Sequence, residues 1–142
     1  MRPSLDETMM RVALALSARA TCVKLAVGCV LVDSRGKILG TGYNGVPRGM
    51  QHCIEHNCPG ADMPSGSDTC WAVHAETNAL MGVDPEAVYG CYVTHGPCLR
   101  CTKMLLNTGC RHLVYNGETF EGADMWAAAQ RYCYQADMPL PF

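Results

Sequence analysis

The sequence predicts an α/β fold in which helices cover a mixed β-sheet, and three features favour it. The chain opens with a helical pattern, continues with two neighbouring β-rich runs, and then alternates between strands and helices. This alternation implies crossover connections, which allow strands to pair in parallel. The 142 residues can enclose one sizeable core, so we expect a single domain over residues 1–142.

The first half of the chain supplies a helix and a hairpin. Ser4 and Glu7 have the spacing of a capping box, and apolar residues recur at helical spacing behind them, so we predict a helix over 5–19. The β-rich runs 27–33 and 37–43 are separated only by a short turn that contains glycine. This arrangement indicates an antiparallel hairpin.

The second half follows a long loop. Residues 44–70 are rich in Gly, Pro, Asn, Cys and His, and loops of this length are often functional. Behind it we predict a helix at 74–81, a strand at 89–95, a helix at 98–107, a strand at 110–116 and a last helix at 121–135. The closing segment 136–142 is short and proline-rich, and we predict no fifth strand there.

The composition disfavours several classes of protein. A net charge of −2 gives no sign of the basic stripe that nucleic-acid binding requires, and it suits small substrates better. No apolar run reaches the ~18 residues of a membrane span. Asp6 and Glu7 precede the first apolar run, where a signal peptide would carry positive charge. We therefore expect a cytoplasmic protein with neither nucleic-acid nor membrane partners.

Two short motifs carry the chemistry. His74 and Glu76 begin one predicted helix, and Cys98 and Cys101, in "PCLRC", begin another. Two C-x-x-C sulfurs and one histidine can hold a zinc ion and leave a position open for water, which is the pattern of a catalytic site. Glu76, outside the ligand set, could take a proton from that water and pass it on. A redox C-x-x-C or a chance H-x-E is the alternative, and the joint pattern disfavours both.

The stretches "VHAETNAL", "THGPCLRC" and "TGYNGVPRG" together resemble the deoxycytidylate (dCMP) deaminase family, within the zinc-dependent cytidine deaminase superfamily. The resemblance runs from about residue 8 to about residue 117. It implies a three-layer α/β/α cytidine-deaminase fold and the hydrolysis of dCMP to dUMP and ammonia, which feeds thymidylate synthesis. It also implies a homohexamer that dCTP activates and dTTP inhibits, both with Mg²⁺. The chain stops soon after its last predicted helix, where many members of the family continue into another strand and tail.

The resemblance assigns roles residue by residue. His74, Cys98 and Cys101 match the zinc ligands, and Glu76 matches the proton shuttle. Asn44 matches an asparagine that contacts the sugar or base in related deaminases. The stretch from Gly45 through Arg48 to Gly49 resembles a segment linked to nucleotide control.

Ten cysteines are many for this length, and four of them lie in loops or at element ends. Some dCMP deaminases have a second, structural zinc, and the resemblance extends to four candidate ligands: Cys22, Cys53, Cys58 and Cys70. His52 or His56 could replace one of them, and free thiols or disulfides are the remaining alternative. Other cysteines, such as Cys29 and Cys91, suit buried apolar positions.

A nucleotide substrate also needs a phosphate site. The candidate cations are Lys24 and Arg48, which flank elements near the expected pocket, followed by Arg100 and Lys103; a solvated surface charge is the alternative for each. His95 could line the pocket or serve only as a structural histidine. Tyr115 could close over the base or pack in the core.

Three rival functions share parts of this pattern. A tRNA- or DNA-editing deaminase should carry a basic surface, which the charge balance disfavours. A deaminase of free cytidine or dCTP differs too little in sequence to be separated from one that acts on dCMP. A zinc-stabilised binding module without catalysis would need no carboxylate at Glu76.

Overall fold

The computed structural model describes residues 1–55 and 70–125, and these form a sheet with helices on both faces. The elements are α1 (Leu5–Ser17), β1 (Gly28–Val32), β2 (Ile38–Tyr43), α2 (Ala75–Leu80), β3 (Gly90–Val93), α3 (Leu99–Leu106), β4 (His112–Tyr115) and β5 (Glu118–Glu121). Short 3₁₀ turns cover Pro85–Ala87 and Gly122–Asp124. Two parts of the chain, 56–69 and 126–142, lie outside the described residues.

The sheet is mixed, as the sequence predicts. Its five described strands lie in the order β2-β1-β3-β4-β5. β3 and β4 pair in parallel, and the other neighbours pair antiparallel. The parallel pair is the one that α3 connects, because a crossover must return the chain to the same end of the sheet.

Alternate side chains of β1 divide the core into two layers. Cys29 and Leu31 pack in the cluster that includes residues of α2 and α3. Val30 and Val32 pack in the cluster on the opposite face, against apolar residues of α1. A strand points successive side chains to opposite faces of the sheet. One face, called the lower face here, is therefore covered by α1, and the upper face is covered by α2 and α3. The predicted three-layer α/β/α architecture is confirmed.

The first helix begins where the capping box predicts. The backbone N–H of Glu7 donates to Ser4 Oγ at 3.1 Å, and the backbone N–H of Ser4 donates to Glu7 Oε2 at 3.1 Å. The helix ends at Ser17, two residues before the predicted boundary. Such end differences are ordinary, because the last turn of a helix frays easily.

The helix α2 lies directly on the backbone of β2. A Cβ atom at Gly42 would meet the carbonyl oxygen of Ala75, and one at Gly40 would meet that of Ala79. Asn78 Nδ2 also donates to the carbonyl oxygen of Tyr43 at 2.9 Å. The two glycines therefore allow a close approach that fixes the depth of α2 above the sheet.

The prediction was wrong at the start of the last helix and missed a strand. Residues 118–121 form β5, which pairs antiparallel with β4, so the predicted helix does not begin at Glu121. The cause is the turn at Asn116 and Gly117, whose φ angles are 50° and 73°. Two successive positive φ angles suit a tight β-hairpin, and Asn-Gly is its preferred sequence. Most of the predicted 121–135 helix lies outside the described residues.

A polar cluster ties α1 to three strands on the side of the sheet away from α2. His112 bridges two carboxylates, with Nε2 at 3.1 Å from Asp6 Oδ1 and Nδ1 at 2.7 Å from Glu121 Oε1. The Tyr92 hydroxyl donates to Asp6 Oδ1 at 2.7 Å. Burial alone would lower the pKa of His112, but the hydrogen bonds to Glu121 and Asp6 outweigh it and raise that pKa.

Within the described ranges, no helix combines the length and apolar character needed to cross a bilayer.

Replacing Gly42 with alanine should destabilise the fold. The new methyl group would meet backbone atoms of α2, which cannot rotate away, and overpacking of this kind costs about 1–3 kcal/mol in the free energy of unfolding. Urea denaturation would measure the loss. Thr41→Ala, at an exposed position of the same strand, is the control and should stay within about 0.5 kcal/mol of wild type. Equal stability of both variants would contradict the close packing of α2.

The stabilisation from His112 should decrease as pH rises. A histidine whose folded-state pKa is raised stabilises the fold fully below its unfolded pKa of about 6.5, and this contribution is lost as pH rises through the folded value. His112→Gln should therefore cost more stability at about pH 5.5 than at about pH 8.5. Thermal unfolding of both proteins at the two pH values checks this. A cost that grows with pH would contradict the bridging role.

Candidate active site and metal centre

Two helix N-termini bring the motif residues together. His74 is the N-cap of α2 and Cys98 is the N-cap of α3, both with extended backbone. Cys101 lies in the first turn of α3 and is buried, and Glu76 lies in the first turn of α2. The two helices on the same face of the sheet thus carry all four side chains toward one point.

The ligand atoms of three of these residues have the separations of a zinc site. His74 Nδ1 lies 3.5 Å from Cys98 Sγ and 3.4 Å from Cys101 Sγ. In a tetrahedral site with ordinary Zn–N and Zn–S bonds, an N···S edge measures about 3.5 Å. All three ligand atoms lie within 4.8 Å of one another, and no other such trio of potential ligands occurs in residues 1–55 and 70–125. The donor set therefore fits zinc with one position left over.

The two thiols share their protons unequally. The hydrogen bond from Cys101 and, after it, the hydrogen bond and charge of His74 together lower the pKa of Cys98 to about 4, against the effect of burial. The same hydrogen bond raises the pKa of Cys101, and burial adds to that rise. The pKa of His74 is raised, first by its hydrogen bond to Cys98. One thiolate is thus present near neutral pH, the form of cysteine that binds a metal.

Glu76 is an almost fully buried carboxyl beside this group. Glu76 is only 4% exposed. Burial raises the pKa of Glu76, while a hydrogen bond from Cys101 and the nearby His74 oppose the rise. A raised pKa lies closer to neutral pH, and a group with such a pKa can both accept and release a proton under those conditions.

A cavity of about 110 Å³ opens onto these residues. By the same measure a single water needs only ~10–15 Å³, so the space is several times larger than one water requires. Its polar lining consists of Cys22, Lys24, Asn44, Cys70, His74, Glu76, His95 and Cys98. Leu25, Val27, Ala72 and Ala75 contribute apolar surface.

Lys24 brings a positive charge to the cavity. Its Nζ atom is buried and has no hydrogen-bond partner in the described ranges 1–55 and 70–125. A buried ammonium without a partner is costly, because water no longer stabilises the charge. An anionic group in the cavity would remove that cost.

Asn44 and Gly45 form part of the cavity wall and its support. Asn44 Oδ1 accepts from the backbone N–H of Val27 at 2.8 Å, and its Nδ2 donates to the carbonyl oxygen of Leu25 at 2.7 Å. Gly45 pairs with Val73, immediately before His74, through two backbone hydrogen bonds of 2.8 and 3.2 Å. Both residues therefore hold the segments that carry the site.

The remaining predicted nucleotide contacts fall in different places. His95 lines the cavity. Arg48 is exposed in the turn that closes with a hydrogen bond from Met50 to Pro47. Tyr115 is buried, stacks on Phe120 with ring centroids 5.2 Å apart, and faces Gly96 from the core.

The four candidate ligands of a second zinc are only partly described. Cys22 and Cys70 line the cavity, and Cys53 is 2% exposed. Cys58 lies outside the described residues, as does the rival ligand His56, while His52 is exposed. The second site therefore stays a prediction.

Thr94, which no sequence motif singles out, contacts both β1 and the cavity residue His95. Its Oγ1 accepts from the backbone N–H of Gly28 at 3.1 Å and lies 3.0 Å from His95 Nδ1. The available signal was a threonine directly before His95 at the end of a strand.

The chain matches a family model described as the cytidine and deoxycytidylate deaminase zinc-binding region over residues 3–117. It is similar to a deoxycytidylate deaminase of Mycobacterium phage D29, with 39% identity over 83% of this chain and 98% of that protein. It is 38% identical to the Schizosaccharomyces pombe deoxycytidylate deaminase over 81% of this chain, but spans only 38% of that longer protein.

A solved structure has the same architecture. The dCMP deaminase of cyanophage S-TIM5, crystallised in complex with dCMP and dUMP, superposes with a TM-score of 0.65 and 27% identity. The match covers 93% of this chain and 94% of that one. The fold and the His–Cys–Cys group define a zinc-binding deaminase domain. The chain belongs to the cytidine and deoxycytidylate deaminase family.

Substitution of a ligand should remove zinc from the protein, whereas substitution of Glu76 should not. We expect His74→Asn and Cys101→Ala each to lose one zinc equivalent per chain, because two remaining ligands hold the ion weakly. Glu76→Gln should keep the wild-type zinc content. Atomic emission spectrometry on the purified wild type and the three variants measures their zinc content. Loss of zinc from Glu76→Gln would place that carboxyl in the ligand set instead.

Proposed function

We propose that this protein catalyses the zinc-dependent hydrolytic deamination of dCMP to dUMP and ammonia. The observation that carries the proposal is the buried Glu76 beside the His74–Cys98–Cys101 group, with Glu76, His74 and Cys98 lining one cavity. The deoxycytidylate deaminases among its relatives support the choice of substrate. The dUMP formed would serve thymidylate synthesis.

The residues divide the reaction between them. His74, Cys98 and Cys101 would hold zinc, which supplies a Lewis acid that makes water nucleophilic near neutral pH. The Glu76 carboxylate would accept one proton from the attacking water and pass it to N3 of the base, while the water oxygen bonds to C4. It would then carry the second hydrogen of that water from the oxygen to the amino group, so that the C4–N bond breaks, ammonia leaves and a C4 carbonyl remains. Asn44 would orient the sugar or base from the cavity wall.

The phosphate of dCMP would pair with Lys24. The ammonium of Lys24 is buried at the cavity and lacks a partner among the described residues, so a phosphate oxygen would satisfy it. Arg48, which is exposed in the loop after β2, suits an effector nucleotide better than the substrate. We propose that dCTP and dTTP act there with Mg²⁺, in a homohexamer, as the family resemblance implies.

A second, structural zinc would hold the long loop through Cys22, Cys53, Cys58 and Cys70. Ligands from both ends of that loop would link its start to α2. Thiol ligands require reduced cysteines, which supports a location in the cytoplasm. Cys53→Ser should lose a zinc equivalent while the catalytic zinc remains. An unchanged zinc content would remove this second site.

A substrate panel tests the proposed reaction. We expect the protein to turn over dCMP faster than CMP, deoxycytidine or dCTP, and we expect Glu76→Ala to turn over none of them. The loss of cytosine absorbance measures each reaction. The same assay with added dCTP or dTTP and Mg²⁺ tests regulation. Preference for the nucleoside or for dCTP would keep the chemistry and overturn the phosphate assignment. Inactivity toward all four would overturn the function.

Removal of the Lys24 charge should weaken dCMP binding selectively. Lys24→Met keeps most of the side-chain length, and we expect KM for dCMP to rise about 10-fold or more, since charge-assisted hydrogen bonds contribute about 1.5–3 kcal/mol. KM for deoxycytidine should change little. Lys37→Met, at an exposed turn position, is the matched control. Equal effects on both substrates would exclude Lys24 as the phosphate ligand.

A further inference from the structure

Thr94 occupies a position where every hydrogen-bonding role of its hydroxyl can be assigned. It follows β3 directly and is only 8% exposed. Its backbone N–H donates to the carbonyl oxygen of Gly28 at 3.0 Å, and the Gly28 N–H donates to Thr94 Oγ1 at 3.1 Å. These two bonds fix the residue against the start of β1. The remaining contact of Oγ1 is to His95 Nδ1, at 3.0 Å.

The direction of this last hydrogen bond follows from the inventory of donors. A hydroxyl carries one hydrogen, and a buried one normally donates it. The backbone N–H of Gly28 is a donor, so Oγ1 is the acceptor in that bond. His95 Nδ1 is then the acceptor that the hydroxyl hydrogen of Thr94 can reach. If His95 Nδ1 were the donor instead, Thr94 Oγ1 would accept two hydrogen bonds, and the hydroxyl hydrogen of Thr94 could not bond to His95.

We propose that Thr94 is a positioning residue that holds His95 in the tautomer with its hydrogen on Nε2. A neutral imidazole whose Nδ1 accepts a hydrogen bond must carry its hydrogen on the other nitrogen. Nδ1 is engaged by the buried Thr94, and His95 lines the cavity, so Nε2 is the ring nitrogen that remains for a ligand. The ring would donate a hydrogen bond to an oxygen acceptor of the substrate.

This inference rests on the proposed function, and it defines one element of substrate specificity. A fixed Nε2–H donor favours ligands that present an oxygen lone pair and disfavours those that present an N–H or O–H hydrogen there. In a nucleotide the acceptor could be a phosphate oxygen or an oxygen of the nucleoside. Thr94 acts on the substrate through His95, while its hydrogen bond from Gly28 holds the start of β1.

The tautomer can be measured without any catalytic assay. In protein labelled with ¹⁵N in histidine and loaded with zinc, two-dimensional ¹H–¹⁵N spectra distinguish the two neutral tautomers. His95→Asn assigns the signal among the five histidines. We expect the Nε2–H form for wild type and Thr94→Ser, and a mixture or a shift toward the Nδ1–H form for Thr94→Val. An Nδ1–H form in the wild type would overturn the proposal.

Kinetics on dCMP test whether the donor matters to the substrate. Thr94→Val keeps the shape of the side chain and should raise KM about 3- to 10-fold, the value of one hydrogen bond, with a smaller change in kcat. Thr94→Ser should restore the wild-type KM. In a His95→Asn background, Thr94→Val should add nothing further. Additive effects of the two substitutions would show that Thr94 does not act through His95 and would overturn the proposal.

Comparing dCMP with deoxycytidine locates the oxygen that His95 contacts, and comparing the kinetics with the ¹⁵N spectra separates failure of the proposed function from failure of the tautomer assignment. A rise in KM for both dCMP and deoxycytidine places the acceptor in the nucleoside, whereas a rise for dCMP alone places it on the phosphate. If the wild type deaminates nothing in the panel, the proposed function fails, yet the ¹⁵N spectra still decide the tautomer. Thermal unfolding of Thr94→Val and Thr94→Ser, compared with wild type, shows whether either loses its fold.

Discussion

The close approach of α2 to the backbone of β2 is the constraint on which the site depends. Gly40 and Gly42 have no side chains on the face that α2 covers, and the helix therefore rests on the strand itself. The depth of the helix sets the depth of its first turn. For this reason Glu76 is buried, although a glutamate in a first helical turn is usually solvated.

The cavity wall is built by short polar side chains that bind the backbone of neighbouring segments. Asn44 holds the segment before β1 through Leu25 and Val27, and Thr94 holds the first residue of that strand. Each side chain satisfies backbone groups that would otherwise be buried without partners. Rigid walls of this kind let a few functional groups keep fixed positions, and the reaction needs such preorganisation.

The two faces of the sheet have separate roles. On the face covered by α2 and α3, the N-termini of these helices carry the candidate metal ligands, and neighbouring loop residues such as Lys24 and Asn44 complete the cavity. On the face covered by α1, His112 of β4 joins α1 to β5 through Asp6 and Glu121. The alternation of side chains along each strand makes this separation possible, because one strand contributes to both layers.

The sequence by itself determined α1, α2 and α3, four strands and the His–Cys–Cys group that could hold zinc, because a capping box, glycine stops and C-x-x-C spacing act over a few residues. The missed strand β5 also had a local signal, the Asn116–Gly117 turn. Only the tertiary structure decided which cation faces the cavity, how deeply Glu76 lies, and that Thr94 supports His95. Those outcomes depend on contacts between distant residues, such as Gly28 and Thr94, which are 66 positions apart. Local spacing cannot encode such a contact, because it arises only when strands and helices pack together.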